Sequence, residues 1–449
     1  MSTNKIPEIH KKEQQVVMHS WCVQQEWAAP TITGGQGAQF WDDSGHHYID
    51  MSSLAECSNL GHQHPRVIAA IKAQADQLCF ITSEWGAEPR RALAQKLLEV
   101  SEFEGGRVFF TLAGADANEN AVKFARWASG KAAGAVVARQ RSYHGASMAT
   151  MNFSGDPRGD KYPLTEKVLR VAPPYCYRCP FGFSDANACA RECVSDIRAV
   201  IEQAGAAEVA AVLMESHAGT NGIVAPADYW SALHGLCAEQ DVVLIADEVM
   251  AGFGRTGKWF GWQHAGAEFR PDMMTLAKGI TGAHIPLGAV VVSADINARL
   301  EASMLYTGLT YSGHPLSCAA GLAAVRAYEE EGLIARSHDL GQALFAQLQQ
   351  LKQRHTIIGD IRGAGLFAVI ELVNNRTSRE PIVAWGGVNA GLRALVNEAR
   401  RQGVSFAVRS NLLILAPPLV ITETELATAL SLLDKLLSQF SATITGTLS

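Results

Sequence analysis

Two short apolar runs, each closed by a polar side chain, constrain this chain more than any other feature. Val242-Val-Leu-Ile-Ala ends on Asp247, and Met273-Met-Thr-Leu-Ala ends on Lys278, 31 residues further on. Such β-favouring runs read as buried strands, and the helix-sized interval between them predicts a βαβ unit with both polar groups at strand ends. Strand ends are where open α/β sheets keep their chemistry. For two isolated residues the plain alternative is a surface lysine and a helix-capping aspartate, because both types are mostly solvated.

A third element weighs against that alternative. Arg107-Val-Phe-Phe-Thr-Leu112 reads as a buried strand, Ala113-Gly114-Ala115 as a tight turn, and Asp116 to Ala128 as a helix. Asp116 and Glu119 stand at capping-box spacing, and Ala117, Ala121, Phe124, Ala125 and Ala128 line one face. A glycine turn leading into a helix start presents free backbone N–H groups to an anion. The acidic Asp116 implies that such an anion sits on the amides of Gly114 and Ala115. A lysine amine, a carboxylate able to hold a ring nitrogen protonated and a phosphate cradle are together what pyridoxal phosphate requires.

The sequence here resembles the class III pyridoxal-phosphate aminotransferases of fold type I, and within them the ω-amino acid and amine transaminases. The resemblance is carried by Ala113-Gly-Ala-Asp-Ala-Asn-Glu-Asn-Ala-Val-Lys123, Ser142-Tyr-His-Gly145, Asp247-Glu-Val-Met-Ala-Gly-Phe-Gly-Arg-Thr-Gly257, Ala277-Lys-Gly279 and Leu309-Thr-Tyr-Ser-Gly-His-Pro315. These fall in the family's order and span most of the chain. The Gly114 to Asn120 run is most similar to the taurine–pyruvate branch.

The resemblance implies that Lys278 carries the cofactor and shuttles the proton, and that Asp247 partners the pyridine nitrogen. It implies that Tyr143 stacks on one ring face and Val249 presses on the other, with Gly114 and Ala115 on the phosphate. Thr310 would reach the phosphate in a neighbouring subunit, which implies a homodimer or a dimer of dimers with shared sites. Glu215 holds the place of the family's Glu-Pro pair, but Ser216 and His217 follow it here. Arg409 stands where the family carries a mobile arginine that clamps an acceptor carboxylate, a task suited to a planar guanidinium; the alternative is a surface arginine paired to an acidic neighbour. Glu56 lies near a position where many ω-transaminases place an aromatic. Facing the cleft, it would favour a donor with a second cation, such as a diamine, and repel a sulfonate; otherwise it is a solvated or cap-forming glutamate.

The implied reaction transfers an amino group from an ω-amino acid or amine to a 2-oxo acid, with pyruvate as the expected acceptor. Taurine, diamine and 4-aminobutyrate donors stay open, and an aminomutase or a decarboxylating relative would use the same Lys278 and Asp247. A non-catalytic protein of this fold would need neither the lysine, the aspartate nor the phosphate loop.

Composition agrees with an enzyme of about two structural units: 449 residues exceed one ordinary core. The net charge of −6 is spread without long runs, which argues against nucleic acid or an anionic membrane as partner. No run approaches the ~20 apolar residues of a membrane span, and the charged N-terminus lacks the core of a signal peptide, so cytoplasmic residence and reduced thiols are expected. Cys176, Cys179, Cys189 and Cys193 form two close pairs that could converge on a zinc ion. A loop of reduced thiols is the favoured reading, since the second pair falls on a helical stretch, Asp185 to Ile201, and related transaminases need no structural metal.

The chain contains no internal repeat and no low-complexity linker. Gln39-Phe-Trp41 and His46 to Asp50 read as strands about a turn at Asp43-Ser-Gly45. From Gly61 to about Val325 strands alternate with helices as in a parallel sheet. Then Leu340, Leu344, Leu348 and Leu351 mark an amphipathic helix, Leu366 to Leu372 a strand, and Thr422 to Phe440 a helix opened by a Thr422/Glu425 capping box. The expected architecture is a large, mainly parallel α/β domain over 61–325, and a smaller α+β domain built from 1–60 and 326–449.

Overall fold

A computed structural model of the protein describes residues 13–446 apart from Glu268. The chain enters through a small antiparallel sheet, β1 (Ile32–Gln36), β2 (Gln39–Asp42) and β3 (His47–Asp50). At the β2–β3 turn the Asp42 carboxylate accepts from the Ser44 and His46 N–H groups and from the Tyr48 hydroxyl. β1, with Gly34 and Gly35 at its centre, carries no strand signal in the sequence.

Next come α1 (Pro65–Gln77), α2 (Glu88–Ser101), β4 (Arg107–Thr111), α3 (Gly114–Ala128), β5 (Ala135–Arg139), α4 (Met148–Phe153), β6 (Val168–Val171), α5 (Ala186–Ala204), β7 (Val209–Glu215), α6 (Ala227–Glu239), β8 (Val243–Asp247), β9 (Met273–Leu276) and β10 (Gly288–Val292). The seven strands β4 to β10 form one sheet in the order β4-β10-β9-β8-β7-β5-β6. β5 to β9 run parallel, while β10 is antiparallel to both its neighbours. β5, β7, β8, β9 and β10 are buried at every residue, so they read as unbroken apolar runs. Alternate side chains feed two cores: Val136, Leu213, Ile245 and Val290 pack with Ala121 and Phe124 of α3, whereas Val137, Met214, Leu244 and Val291 join Ile197 of α5 and Leu233 of α6. Each such buried aliphatic contributes about 1.5 to 3 kcal/mol.

The last third holds α7 (Ala294–Glu301), α8 (Pro315–Glu330), α9 (Leu333–Arg354), β11 (Ile358–Ala364), β12 (Phe367–Asn375), β13 (Glu380–Pro381), α10 (Ala390–Arg401), β14 (Val404–Ser405), β15 (Ala407–Arg409), β16 (Leu412–Leu415) and α11 (Glu423–Thr445). β11, β12, β16 and β15 make an antiparallel sheet, whereas β14 pairs in parallel with β3, Val404 opposite Ile49. Strands from the two ends of the chain thus share a sheet. Leu340, Leu344, Leu348 and Leu351 are buried on α9, and α11 opens on the Thr422/Glu425 box before running past Phe440 to Thr445.

Two local expectations fail. Between β8 and β9 there is no α-helix, only a 3-10 turn at Gly261–Ala265. Phe253, Gly254 and Gly257 take φ values of +57°, +85° and +82°, which no right-handed helix accommodates. Within this segment the fully buried Arg255 donates to the carbonyls of Leu366 and Pro417, the Ser53 hydroxyl and the Asn59 amide oxygen, stitching distant parts of the chain together. The second failure is the start of α3. It begins at Gly114, so Asp116 is its third residue, and Glu119 accepts from the Ser147 hydroxyl instead of completing a cap.

Candidate active site

A cavity of about 1240 Å³ opens beyond the carboxyl ends of β4, β7, β8 and β9. Asp247 and Glu215 end their strands there, and Lys278 follows β9 by two residues. Glu56, Gly114, Ala115, Tyr143, Glu215, Asp247, Val249, Lys278 and Arg409 all line it. Thr310 does not; it is exposed in the stretch between α7 and α8.

The Asp247 carboxylate is 4% exposed and held by three donors. Asn118 Nδ2 and His144 Nδ1 reach Oδ2 at 2.8 and 2.7 Å, and the Val249 N–H reaches Oδ1 at 3.0 Å. Because a carboxylate only accepts, the His144 proton lies on Nδ1. Thr275 on β9 donates to Asn118 Oδ1 at 2.7 Å, so the neighbouring strand fixes the amide that fixes the aspartate. Glu215 is also buried. It accepts from the N–H groups of Tyr143 at 3.2 Å and Gly219 at 3.1 Å, and burial pushes its carboxyl above the ordinary value. Glu215, with Ser216 and His217 after it, thus stands in the cavity wall.

Lys278 sits in the left-handed region, φ +46°, as the first residue of the 3-10 turn Lys278–Ile280. Its Nζ lies 3.0 Å from Glu56 Oε2. Burial lowers the affinity of this amine for a proton, but the adjacent Glu56 charge outweighs that and raises its pKa. Glu56 is neither solvated nor a helix cap: its side chain is 12% exposed and turned to the cavity. It ends a run of four non-glycine residues, Ser53 to Glu56, with φ between +45° and +72°. One left-handed turn results, closed by bonds from the N–H of Glu56 to Ser52 O and of Cys57 to Ser53 O. At roughly 1–2 kcal/mol per residue, such a turn persists only where its surroundings impose it. Arg255, through the Ser53 hydroxyl and Asn59, grips both sides of it.

Beside them the start of α3 forms a cradle. The Asp116 carboxylate turns back to accept from the N–H groups of Leu112 and Ala113, both at 2.7 Å. As first-turn amides, those of Gly114 and Ala115 have no carbonyl four residues back, which leaves them for an anion. A Cβ on Gly114 would stand 2.9 Å from Val249 Cγ1, so glycine is what lets the cradle and Val249 approach. An unsatisfied amide pair, a buried carboxylate and a lysine amine on one cavity fit pyridoxal phosphate: Gly114 and Ala115 for the phosphate, Tyr143 and Val249 for the ring faces, Asp247 for the ring nitrogen, Lys278 for the aldehyde carbon.

At the cavity mouth Arg409 pairs with Asp156, Nη1 to Oδ2 at 2.9 Å. Asp156 also holds Arg158 through two side-chain bonds, at 2.7 and 3.0 Å. The Arg158 guanidinium lies 4.4 Å from the ring centroids of both Trp21 and Tyr143. Sequence reasoning assigned no role to Asn118, His144, Asp156, Arg158, Trp21 or Trp385. Asn118 and His144 adjoin flagged residues and were within reach of inspection; Trp21 and Trp385, which also line the cavity, lie far along the chain from any motif.

The four cysteines do gather, Cys176 on the turn at Cys176–Arg178, Cys179 just after it, and the buried Cys189 and Cys193 on α5. Among the described residues, no group of three His, Cys, Asp or Glu side chains is arranged to hold a metal ion. No described helix is long and apolar enough to cross a membrane.

Comparison with known proteins agrees with this geometry. Residues 23–437 match the model of the family Aminotransferase class-III. The chain is 34% identical to the leucine/methionine racemase of Thermococcus litoralis, covering 89% of this chain and 88% of that one. It is 31% identical to the putrescine–pyruvate aminotransferase of Pseudomonas aeruginosa, covering 93% and 92%. Among solved structures, the taurine:2-oxoglutarate aminotransferase of Bifidobacterium kashiwanohense, in complex with pyridoxal phosphate and glutamate, superposes with a TM-score of 0.91 at 37% identity over 98% of this chain and 99% of that one. The chain belongs to the class-III aminotransferases. It is a fold type I enzyme that transfers amino groups, and its cofactor is pyridoxal 5′-phosphate.

Proposed function

We propose that the enzyme moves an amino group from an ω-amino acid or amine to a 2-oxo acid, pyruvate in the first instance, in two half-reactions on one cofactor. Lys278 and Asp247 carry the chemistry, and the observation that carries the choice of acceptor class is Arg409 on the wall of the same cavity. Bound there, pyridoxal phosphate supplies an electron sink for the donor carbon. Asp247, oriented by Asn118 and His144, keeps a negative charge against the ring nitrogen. Lys278 Nζ would take a proton from the donor carbon and later deliver it to the cofactor's C4′ carbon, so that the donor leaves as a carbonyl compound. Arg409 holds the acceptor carboxylate by exchanging its single bond to Asp156, which Arg158 continues to neutralise.

A diamine donor is the second reading, favoured by the Glu56 carboxylate in the cavity wall, which would attract a distal ammonium and repel a sulfonate. Thr310, exposed beside the exposed apolar side chains of Met304, Tyr306 and Tyr311, suits a homodimer, or a dimer of dimers, in which it reaches the neighbouring site. The proposed division at residues 60 and 325 and a cytoplasmic setting complete this reading. A donor panel of taurine, β-alanine, 4-aminobutyrate, putrescine and 1-phenylethylamine against pyruvate and 2-oxoglutarate tests it. Amino transfer to pyruvate from one of these donors is expected. Turnover confined to carbon dioxide release, or to racemisation of an α-amino acid without any acceptor, would overturn it.

A further inference from the structure

Glu56 makes one side-chain hydrogen bond, to Lys278 Nζ. The buried Arg255 near it donates through its two terminal nitrogens to neutral groups, two carbonyls, a hydroxyl and an amide oxygen, and donates no hydrogen bond to Glu56. The left-handed turn that carries Glu56 points its carboxylate into the cavity, against the lysine, and is closed by its own backbone bonds and by Arg255. A strained turn that delivers a charge to one atom is a positioning device.

We propose that Glu56 is a positioning residue for Lys278: its carboxylate holds the proton-loaded lysine amine in place between taking a proton from the donor carbon and giving it up again. The donor's carbon–hydrogen bond would break with its proton passing to Nζ and its electron pair to the cofactor's electron sink, and Nζ would then deliver that same proton to the cofactor's C4′ carbon, so Glu56 itself is never consumed. This rests on the reading that Lys278 carries the cofactor. The other charged or titratable groups facing the pair are Asp247 and Cys57 towards Lys278, with Arg255 and Arg409 near Glu56. All of these remain when Glu56 alone is changed. The raised proton affinity of Lys278 has Glu56 as its leading favourable cause, in line with the geometry.

The test uses Glu56→Gln, which keeps the shape and removes the charge, and Glu56→Asp, which keeps the charge on a shorter arm. In the cofactor-free protein, acetic anhydride labelling of Lys278 followed by peptide mass spectrometry across pH gives the midpoint of its titration. That midpoint falls by about one pH unit in Glu56→Gln and by less in Glu56→Asp. In the loaded enzyme the acidic limb of the donor half-reaction moves to lower pH by a similar amount, because the weaker base is free at lower pH, and its plateau falls about tenfold. An unchanged Lys278 midpoint in both variants overturns the proposal. Borohydride reduction of the loaded wild type separates this from failure of the functional reading, since label on a lysine other than Lys278 would defeat that reading instead.

Discussion

Asp247 is held by donors from α3, from the segment after β5 and from its own strand end, so asparagine there changes charge while keeping nearly the same shape. Asp247→Asn is expected to cut turnover by about two to four orders of magnitude while the thermal midpoint barely moves. Steady-state kinetics beside a melting curve decides it, and a near-normal rate would remove Asp247 from the role. Arg409 behaves differently, because its single bond to Asp156 can be exchanged whereas Arg158 stays forked on the same carboxylate. Arg409→Ala should raise KM for the oxo-acid acceptor about ten- to a hundredfold, the loss of ~1.5 to 3 kcal/mol of charge-assisted bonding, and disturb a carboxylate-free amine donor far less. Equal losses in both half-reactions, followed by cofactor absorbance, would make Arg409 a support of the fold. Lys278 and Asp247 were legible because buried strands leave unbroken apolar runs, and the polar residue that ends such a run stands out. Asn118 and His144 lay within the quoted motifs, but their target Asp247 is more than a hundred residues away, as Arg409 is from Asp156, and no periodicity carries such pairings.

The elements that end in regular structure were the easiest to read. α3, α9 and α11 repeat their apolar residues at helical spacing, and the Thr422/Glu425 box forms as spelled. The start of α3 was misread because an acidic residue in the first turn mimics a cap: Asp116 bonds back to the N–H groups of Leu112 and Ala113 from the third helical position. The left-handed turn at Ser53–Glu56 left no trace in the sequence, since it lacks glycine and is imposed by Arg255 from 199 residues beyond Glu56. Gly145 shows how tightly the cofactor-side elements meet. Its φ is +135°, and a Cβ there would stand 2.6 Å from Ala115 Cβ and 2.7 Å from Thr150 Oγ1. Gly145→Ala should therefore displace the start of α3 and weaken cofactor retention about tenfold or more, read as Kd by fluorescence titration of the stripped protein. Unaltered retention would mean that the Ser142-Tyr-His-Gly145 segment yields without moving the cradle.

Across the whole molecule, titration of the buried His217 sets a limit on acid stability. Burial, reinforced by nearby His264, pushes His217 down to about 3, and His264, His284 and His314 are lowered too. A depressed histidine contributes stability that is complete above its unfolded value near 6.5 and is lost as pH falls towards the folded one. At pH 5 the His217 share of that loss is about 2 kcal/mol. His217→Leu, of similar volume, should lose correspondingly less between pH 7.5 and pH 5 in urea unfolding, and identical losses in both proteins would place the acid sensitivity elsewhere. The parallel α/β class was legible from strand and helix alternation, but the sharing of one sheet by the two chain ends was not, because β14 is two residues long and its partner lies 355 positions away. That pairing has a consequence on the ribosome. At about 5 to 20 residues per second, β3 is made roughly 20 to 70 seconds before Val404. For that interval β3 is a bare strand edge in a growing polypeptide, open to the same edge of a neighbouring nascent chain on a crowded polysome. Slow or interrupted translation of the stretch between β3 and β14 is then what would drive newly made copies into aggregates.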